Sequence, residues 1–144
     1  YQIGLYLDKR EKPPKIVSRE LAKAGRKKPI FKVSNLSAAQ RALRMFNRMQ
    51  GESRADTIME TITNFPEKEL FQGRGRQNGE KAVFVIEEGQ LVGYLYYKLN
   101  DKLKSWSRVE HLMTEVKPKE EYLDLLKLGI LSGEFTALKL RPED

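Results

Sequence analysis

The stretch Gly73-Arg74-Gly75-Arg76 combines flexible backbone with two guanidinium groups, a combination that can bind phosphate. Backbone N–H groups of glycine-rich turns form anion-binding concavities, and an arginine can hold a phosphate through two parallel hydrogen bonds. The stretch is not a P-loop, because that motif ends in Gly-Lys-Ser/Thr and opens a helix, whereas an apolar run typical of a strand follows here. Two interpretations stay open: Arg74 and Arg76 bind phosphate, or they are solvated arginines in a loop that leads into a hairpin. Of the two, Arg76 is the one expected to have a fixed partner.

Basic side chains are concentrated in the first third of the chain. Thirteen Lys or Arg and two acids lie between Lys9 and Arg48, a balance of +11, while the rest of the chain sums to −4 and the whole to +7. Such asymmetry indicates a polyanionic partner, nucleic acid before an anionic membrane, although lysine-rich surfaces also serve solubility alone. The candidate nucleic-acid-binding residues are Lys23, Arg26, Lys27, Lys28, Arg41, Arg44, Arg48, Arg74 and Arg76.

Residues that could carry catalysis are scarce. His111 is the only histidine and the chain has no cysteine, so a histidine-rich metal site, thiolate chemistry and a Cys-type zinc site cannot be built. The acids occur as adjacent pairs, Glu87-Glu88 at a turn and Glu120-Glu121 in a first helical turn, where they favour the helix dipole. We therefore expect no catalytic residue, no metal ion and no cofactor, and we expect His111 on a helix surface or half-buried.

Three tyrosines lie within the second apolar run of the central hairpin, and aromatic rings on an exposed sheet face can stack nucleobases. Strand alternation places Tyr94 and Tyr96 on one face with Val92, and Leu95 and Tyr97 on the other. This pattern favours core packing over base stacking.

The elements that position these residues are predicted by periodicity. Strands are expected at 2–8, 15–21 and 30–34, separated by a turn at 9–14 and a basic loop at 22–29. A helix begins at a Ser37 cap, with Gln40 in capping-box spacing, and stops near Gly51. Its apolar residues fall on one face, and Arg41, Arg44 and Arg48 fall together on the opposite face.

In the sequence after Gly51, the pattern predicts a shorter helix at 52–63 and a hairpin at 81–99 that turns near Glu88-Gly89. It then predicts helices at 106–116 and 119–128, the second stopped by Gly129, and an edge strand at 134–140. The predicted fold class is α+β, with antiparallel hairpins and three or four packed helices in a single domain, 1–144. Within that domain the basic part is 1–50 and the remainder is 51–144.

The chain has 144 residues, enough for one domain, and no apolar run near the roughly 20 residues that span a bilayer. No secretory signal is visible at its start, and the absence of cysteine is compatible with a reducing compartment, so a cytoplasmic protein is expected. Because the sequence begins at Tyr1, it is interpreted as a piece cut from a longer protein.

The block "GRQNGEKAVFVIEEGQLVGYLYY" resembles one in the C-terminal region of some bacterial DNA polymerase III epsilon-like exonucleases, the part that follows a GIY-YIG module. The matching positions are Gly75, Arg76, Gly79, Glu80, Lys81, Ile86, Glu87, Gly89, Gly93 and Tyr94. Further parallels are the strand Ile3-Gly4-Leu5-Tyr6, then Pro29 and Phe31, and the helix after Ser37.

This sequence lacks three features of such proteins: the acidic exonuclease motif, the tyrosines and arginine of a GIY-YIG nuclease, and the cysteine-containing segment. The resemblance therefore implies a non-catalytic C-terminal accessory domain that positions a replication or repair exonuclease on DNA, with Arg76 and Glu80 paired. The alternative is a protein-docking module that binds a polymerase or repair protein through "EFTALKL" or the face around Trp106. A small independent enzyme is a third option, and it would require a polar pocket with clustered carboxylates.

Overall fold

The chain folds into strands and helices in a computed structural model that describes residues 2–8, 10, 15–101 and 103–140. The strands are Ile3–Asp8 (β1), Lys15–Glu20 (β2), Phe31–Val33 (β3), Glu69–Arg74 (β4), Glu80–Glu87 (β5), Gln90–Lys98 (β6), Thr114–Glu115 (β7) and Thr136–Leu138 (β8). The α-helices are Leu36–Met49 (α1), Ala55–Thr63 (α2), Trp106–Leu112 (α3) and Glu120–Ser132 (α4). Both sheets are antiparallel, so the predicted α+β class is confirmed. Apart from Arg10, the predicted turn at 9–14 lies outside the described residues.

Two compact units divide the chain. Unit 1 comprises residues 1–64 and 123–132, and unit 2 comprises 65–122 and 133–144. Helix α2 therefore belongs with the basic first part, and α4 begins in unit 2 and continues into unit 1. The single accessory domain and its division near residue 50 remain predictions.

Unit 1 contains a three-stranded sheet in the order β2-β1-β3. Helix α1 contacts all three strands, and its buried residues are Ala39, Ala42, Phe46 and Met49. The outer edge of β3 is covered by α4: the backbone N–H of Lys32 donates to Asp124 Oδ1 at 3.1 Å, and Lys127 Nζ donates to the carbonyl of Ile30 at 2.7 Å. Side chains of one helix therefore satisfy backbone groups that an edge strand would otherwise leave unpaired.

Unit 2 contains a five-stranded sheet in the order β7-β6-β5-β4-β8. One face carries a core cluster of Leu70, Val83, Val85, Leu95 and Val109, the last from α3. The β5–β6 hairpin turns through Glu88 and Gly89 at φ values of 53° and 73°, as a two-residue turn with both central residues in the left-handed region requires. The predicted turn at Glu88-Gly89 is confirmed.

An extra residue in β6 changes the predicted alternation. The pairing steps from Val85 opposite Gly93 to Ile86 opposite Leu91, which leaves Val92 as a bulge. Val92 consequently packs against the core cluster with Leu95 rather than sharing a face with Tyr94. The predicted placement of Val92 is wrong because the bulge shifts which residues of β6 lie on each face of the sheet.

The predicted boundaries of α1 and α4 need correction. Asn35, not Ser37, caps α1, since its Oδ1 accepts from the backbone N–H of Ala38 at 2.8 Å. Gly129 does not end α4: it is buried inside the helix, which continues to Ser132 and is followed by Gly133 at φ 85°. A mid-helix glycine costs about 1 kcal/mol relative to alanine, and packing of the neighbouring Ile130 and Leu131 offsets this cost.

The strands of unit 2 also differ from the prediction. The predicted helix at 106–116 ends at Leu112, because the chain then forms β7 beside β6. Strand β4 was not predicted and includes Gly73 and Arg74, so these two residues lie in the sheet rather than in a loop. The predicted edge strand at 134–140 is confirmed as β8.

Candidate nucleic-acid interface

Helix α1 presents a row of arginines to solvent. Its apolar residues pack on the sheet of unit 1, and Arg41, Arg44 and Arg48 are exposed on the opposite face. The helix contains no acidic residue, so no carboxylate within α1 neutralises the row. The predicted arginine face is confirmed as a continuous surface about two turns long.

The second basic group lies in the loop between β2 and β3. Both ends of the loop are tied to β1, by Leu21 N–H donating to the carbonyl of Gln2 at 3.1 Å and Ile30 N–H donating to the carbonyl of Leu5 at 2.7 Å. All four predicted side chains between these anchors are exposed: Lys23, Arg26, Lys27 and Lys28. The loop is therefore a short cationic segment held at both ends by the sheet.

Asp8, one of the acids near this loop, is already paired with an arginine. Asp8 accepts hydrogen bonds from the Nε and Nη2 atoms of Arg10 at 3.0 and 3.1 Å. These bonds, with a smaller contribution from the charge of Lys27, lower the pKa of Asp8 to about 2. Asp8 therefore stays ionised at neutral pH with its charge balanced by Arg10, and the loop cations remain available.

Most of the predicted cations have no acidic partner in the part of the chain that the structure describes. Lys23 Nζ lies 3.5 Å from Glu20 Oε2, and such an exposed ion pair contributes little to stability. Over the described ranges, no ion pair engages Arg26, Lys27, Lys28, Arg41, Arg44, Arg48 or Arg74. Unpaired and solvated cations are what nonspecific binding to a phosphate backbone uses.

The two arginines of unit 2 lie in different surroundings. Arg74, at the end of β4, lines a depression with Lys81, Glu134 and Phe135. Arg76, in the turn between β4 and β5, is bound to Glu80: Nε donates to Oε1 at 3.0 Å, and Nη2 donates to Oε2 at 2.9 Å. The expected Arg76–Glu80 pair is confirmed.

Two backbone N–H groups of this turn donate to Glu80. Gly75 N–H donates to the carbonyl of Glu80 at 3.0 Å, and Arg76 N–H donates to Glu80 Oε1 at 2.8 Å. A Cβ atom at Gly75 would lie 2.7 Å from that carbonyl oxygen, and one at Gly73 would lie 2.6 Å from the Phe135 ring. Both glycines therefore allow close packing, and the N–H groups of Gly75 and Arg76 already have partners within the turn. Phosphate binding by this stretch remains a prediction.

The Arg76–Glu80 pair gives stability a defined pH dependence. Hydrogen bonds from Arg76 lower the pKa of Glu80 below its ordinary value of 4.5. A depressed folded-state pKa adds stability above the unfolded-state value, and this stability is lost as the pH falls through the folded-state pKa. We expect Glu80→Gln to be less stable than the wild type at pH 7, with the difference shrinking below about pH 4. Urea unfolding at several pH values measures this difference.

Glu52→Gln is the matched control for this measurement. Glu52 pairs with Arg54 at 2.6 Å, but both side chains are about half exposed or more, whereas the Glu80 side chain is 5% exposed. An exposed pair contributes little, so the control should show no comparable change with pH. An equal pH response in both variants would contradict a special role for the buried carboxylate.

Among the described residues, no group of three or more His, Asp or Glu side chains could hold a metal ion. His111 is exposed on α3. Unit 1 has a depression of about 780 Å³ beside α2 that includes Glu52, Asp56 and Glu60. Asp56 and Glu60 lie on α2, and Glu52 lies just before it. A solvent-exposed helix face is the simpler explanation for this group of carboxylates.

The two segments considered for protein docking have structural roles. Residues 136–138 of "EFTALKL" pair with β4 as strand β8. Trp106 packs against the core cluster of unit 2, with Lys68 Nζ 4.5 Å from its ring centre. Docking through either segment remains an alternative prediction.

A basic groove in unit 2 was not predicted. It has a volume of about 880 Å³. Its lining comes from the β4–β5 turn, the end of β6, the segment after β6, and α3. The lining includes Arg76, Tyr96, Lys98, Lys104 and Arg108. These residues come from separate parts of the chain, so no spacing in the sequence identifies them together.

Comparison with known proteins gives no relative for this chain: no protein-family model, curated protein or solved structure matches it. Among the described helices, none is both long and apolar enough to cross a lipid bilayer.

Proposed function

We propose that this chain is a non-catalytic accessory domain that binds the nucleic-acid backbone through the basic surface of unit 1 and positions a DNA polymerase III epsilon-like exonuclease on DNA. The observation that carries the binding role is the arginine face of α1. Arg41, Arg44 and Arg48 are exposed, aligned, and without an acidic partner among the described residues. The nuclease assignment rests on the resemblance of residues 75–97 to such proteins.

The chemistry of such a surface is backbone recognition. Guanidinium groups bind phosphate oxygens with two hydrogen bonds and carry no information about the base. Each neutralised phosphate releases condensed counterions, so affinity falls steeply with salt. The loop cations Lys23, Arg26, Lys27 and Lys28 add to the same electrostatic attraction. In a longer protein this domain raises the local concentration of substrate at the catalytic part.

The test is binding of labelled single-stranded and duplex DNA, followed by fluorescence anisotropy over a range of salt concentrations. We expect the triple variant Arg41/Arg44/Arg48→Ala to bind on the order of 10- to 100-fold more weakly at about 0.1 M salt. The slope of log affinity against log salt should fall in magnitude by about 2 to 3, roughly one unit for each phosphate that the variant no longer binds.

A charge-matched control separates this surface from net charge. Lys68, Lys117 and Lys119 are exposed residues of unit 2, and the triple variant Lys68/Lys117/Lys119→Ala removes the same three charges. Its salt slope should stay close to that of the wild type. Equal losses in both triple variants would indicate nonspecific attraction, and absence of binding by the wild type at low salt would overturn the proposal.

A further inference from the structure

The groove of unit 2 contains a guanidinium group that is both fixed and open to solvent. Glu80 holds Arg76 through two side-chain hydrogen bonds, which set the plane of the guanidinium group. The Arg76 guanidinium carbon lies 4.0 Å from the centre of the Tyr96 ring, so this ring supports one side of the plane. The Arg76 side chain is nevertheless 66% exposed. A flat, charged surface therefore points to solvent in a defined orientation.

The aromatic side of this arrangement is also fixed. Tyr96 lies on the same strand face as Tyr94, and their ring centres are 6.0 Å apart in an edge-to-face contact. Tyr96 is 37% exposed, although its neighbour Tyr97 is half-buried against the core and donates a hydrogen bond to Gln72 Oε1 at 2.9 Å. The contact with Tyr94 reduces the rotamer freedom of the exposed Tyr96 ring. A ligand that stacks here therefore meets a surface that is already ordered.

The rest of the groove is positively charged. Lys98, Lys104 and Arg108 are exposed in its lining, and no ion pair in the described part of the chain engages them. The acids of the lining are Glu80, whose carboxylate is bonded to Arg76, and Asp101. Lys98 also faces Glu80 across the β5–β6 pairing, and its charge helps to lower the pKa of that carboxylate. The lining carries four basic and two acidic side chains, and this positive excess favours an anion.

A ligand that fits must combine a planar group with phosphate. Nucleobases stack on arginine planes and on aromatic rings in proteins that bind single strands, and lysine and arginine side chains bind the adjoining phosphates. In a duplex the base faces are covered by neighbouring pairs, so a guanidinium plane cannot stack on them. An acidic peptide would use the cations but not the plane.

We propose that this groove binds a nucleotide of a single-stranded nucleic acid, with the base stacked on the Arg76 guanidinium group backed by Tyr96, and the phosphates bound by Lys98, Lys104 and Arg108. The site belongs to unit 2, and it does not depend on backbone binding by unit 1.

The test compares two fluorescent probes bound by the full chain: an oligothymidylate of about ten nucleotides and an abasic strand with the same number of phosphates. We expect the wild type to bind the oligothymidylate about 5- to 100-fold more tightly, the range for one stacked base. Tyr96→Ala and Arg76→Lys should bind the two probes equally, since lysine keeps the charge and can pair with Glu80 but has no plane. Tyr96→Phe keeps a ring and should retain the preference.

Two further measurements identify the ligand and distinguish binding at this groove from binding by unit 1. Lys98/Lys104/Arg108→Ala should weaken binding of both probes, whereas Arg41/Arg44/Arg48→Ala should leave the ratio between the probes unchanged. Competition by free thymidine monophosphate, rather than only by the strand, would show that a single nucleotide is sufficient. Equal binding of both probes by the wild type, or a ratio unchanged in Tyr96→Ala, would overturn the proposal. Because Tyr96 is exposed, unfolding of that variant is not expected, and circular dichroism checks it.

Discussion

Replacing Phe46 with alanine is expected to lower the free energy of unfolding by about 3 to 5 kcal/mol. Phe46 is 1% exposed and belongs to the face of α1 that packs on the sheet of unit 1. Truncation removes the transfer free energy of the ring and leaves a cavity that neighbouring helix residues Ala39 and Ala42 are too small to fill. A loss of this size is a large fraction of the stability of an ordinary domain.

Urea unfolding followed by circular dichroism measures the loss. Leu36→Ala is the matched control, because Leu36 is in the same helix but 55% exposed, and its effect should lie within about 0.5 kcal/mol. The arginine row lies on the opposite face of α1, so under the proposed function Phe46→Ala should bind DNA as the wild type does wherever it is still folded. A loss below about 1 kcal/mol would contradict the packing of α1 described above.

Replacing Leu70 with alanine is the second large expected effect, about 2 to 5 kcal/mol, and it falls on unit 2. Leu70 is fully buried in β4 and belongs to the core cluster with Val83 and Val85. It pairs with Val85 on one side and Leu138 on the other, so its side chain lies beside theirs on the face of the sheet that carries the core cluster. Truncation would leave a cavity on that face.

Tryptophan fluorescence reports this change directly, because Trp106 is the only tryptophan and packs against the same cluster. Leu99→Ala is the control: Leu99 is also in unit 2 but is 54% exposed. The unfolding midpoint measured by fluorescence should drop for Leu70→Ala and stay nearly unchanged for Leu99→Ala. Similar shifts in the two variants would place Leu70 outside the core.

The features that could be predicted from sequence are local ones. The turn at Glu88-Gly89 and the arginine row of α1 each depend on residues close together in the sequence. Turn chemistry and helical spacing act over that range, so the pattern itself indicates the structure. The pair of Arg76 with Glu80 was implied by the family resemblance, not by spacing alone.

The features that were missed depend on distant partners. Strand β4, with the sequence "ELFQGR", has no β-branched residue, and it is a strand because β5 and β8 pair with its two edges. Gly129 stays helical because its surroundings are buried. The groove beside Tyr96 combines residues of the β4–β5 turn, β6 and α3, which only the tertiary structure brings together.

The α4 side chains that cover β3 have a consequence for synthesis of the protein on the ribosome. Asp124 and Lys127 follow their backbone partners in the chain by 92 and 97 residues. At about 5 to 20 residues per second, the strands of unit 1 emerge several seconds or more before the helix that completes them. During that interval the edge of β3 is open to pairing with other nascent chains. The sheet made first is therefore completed late, and its protection from aggregation depends on continued translation through residue 132.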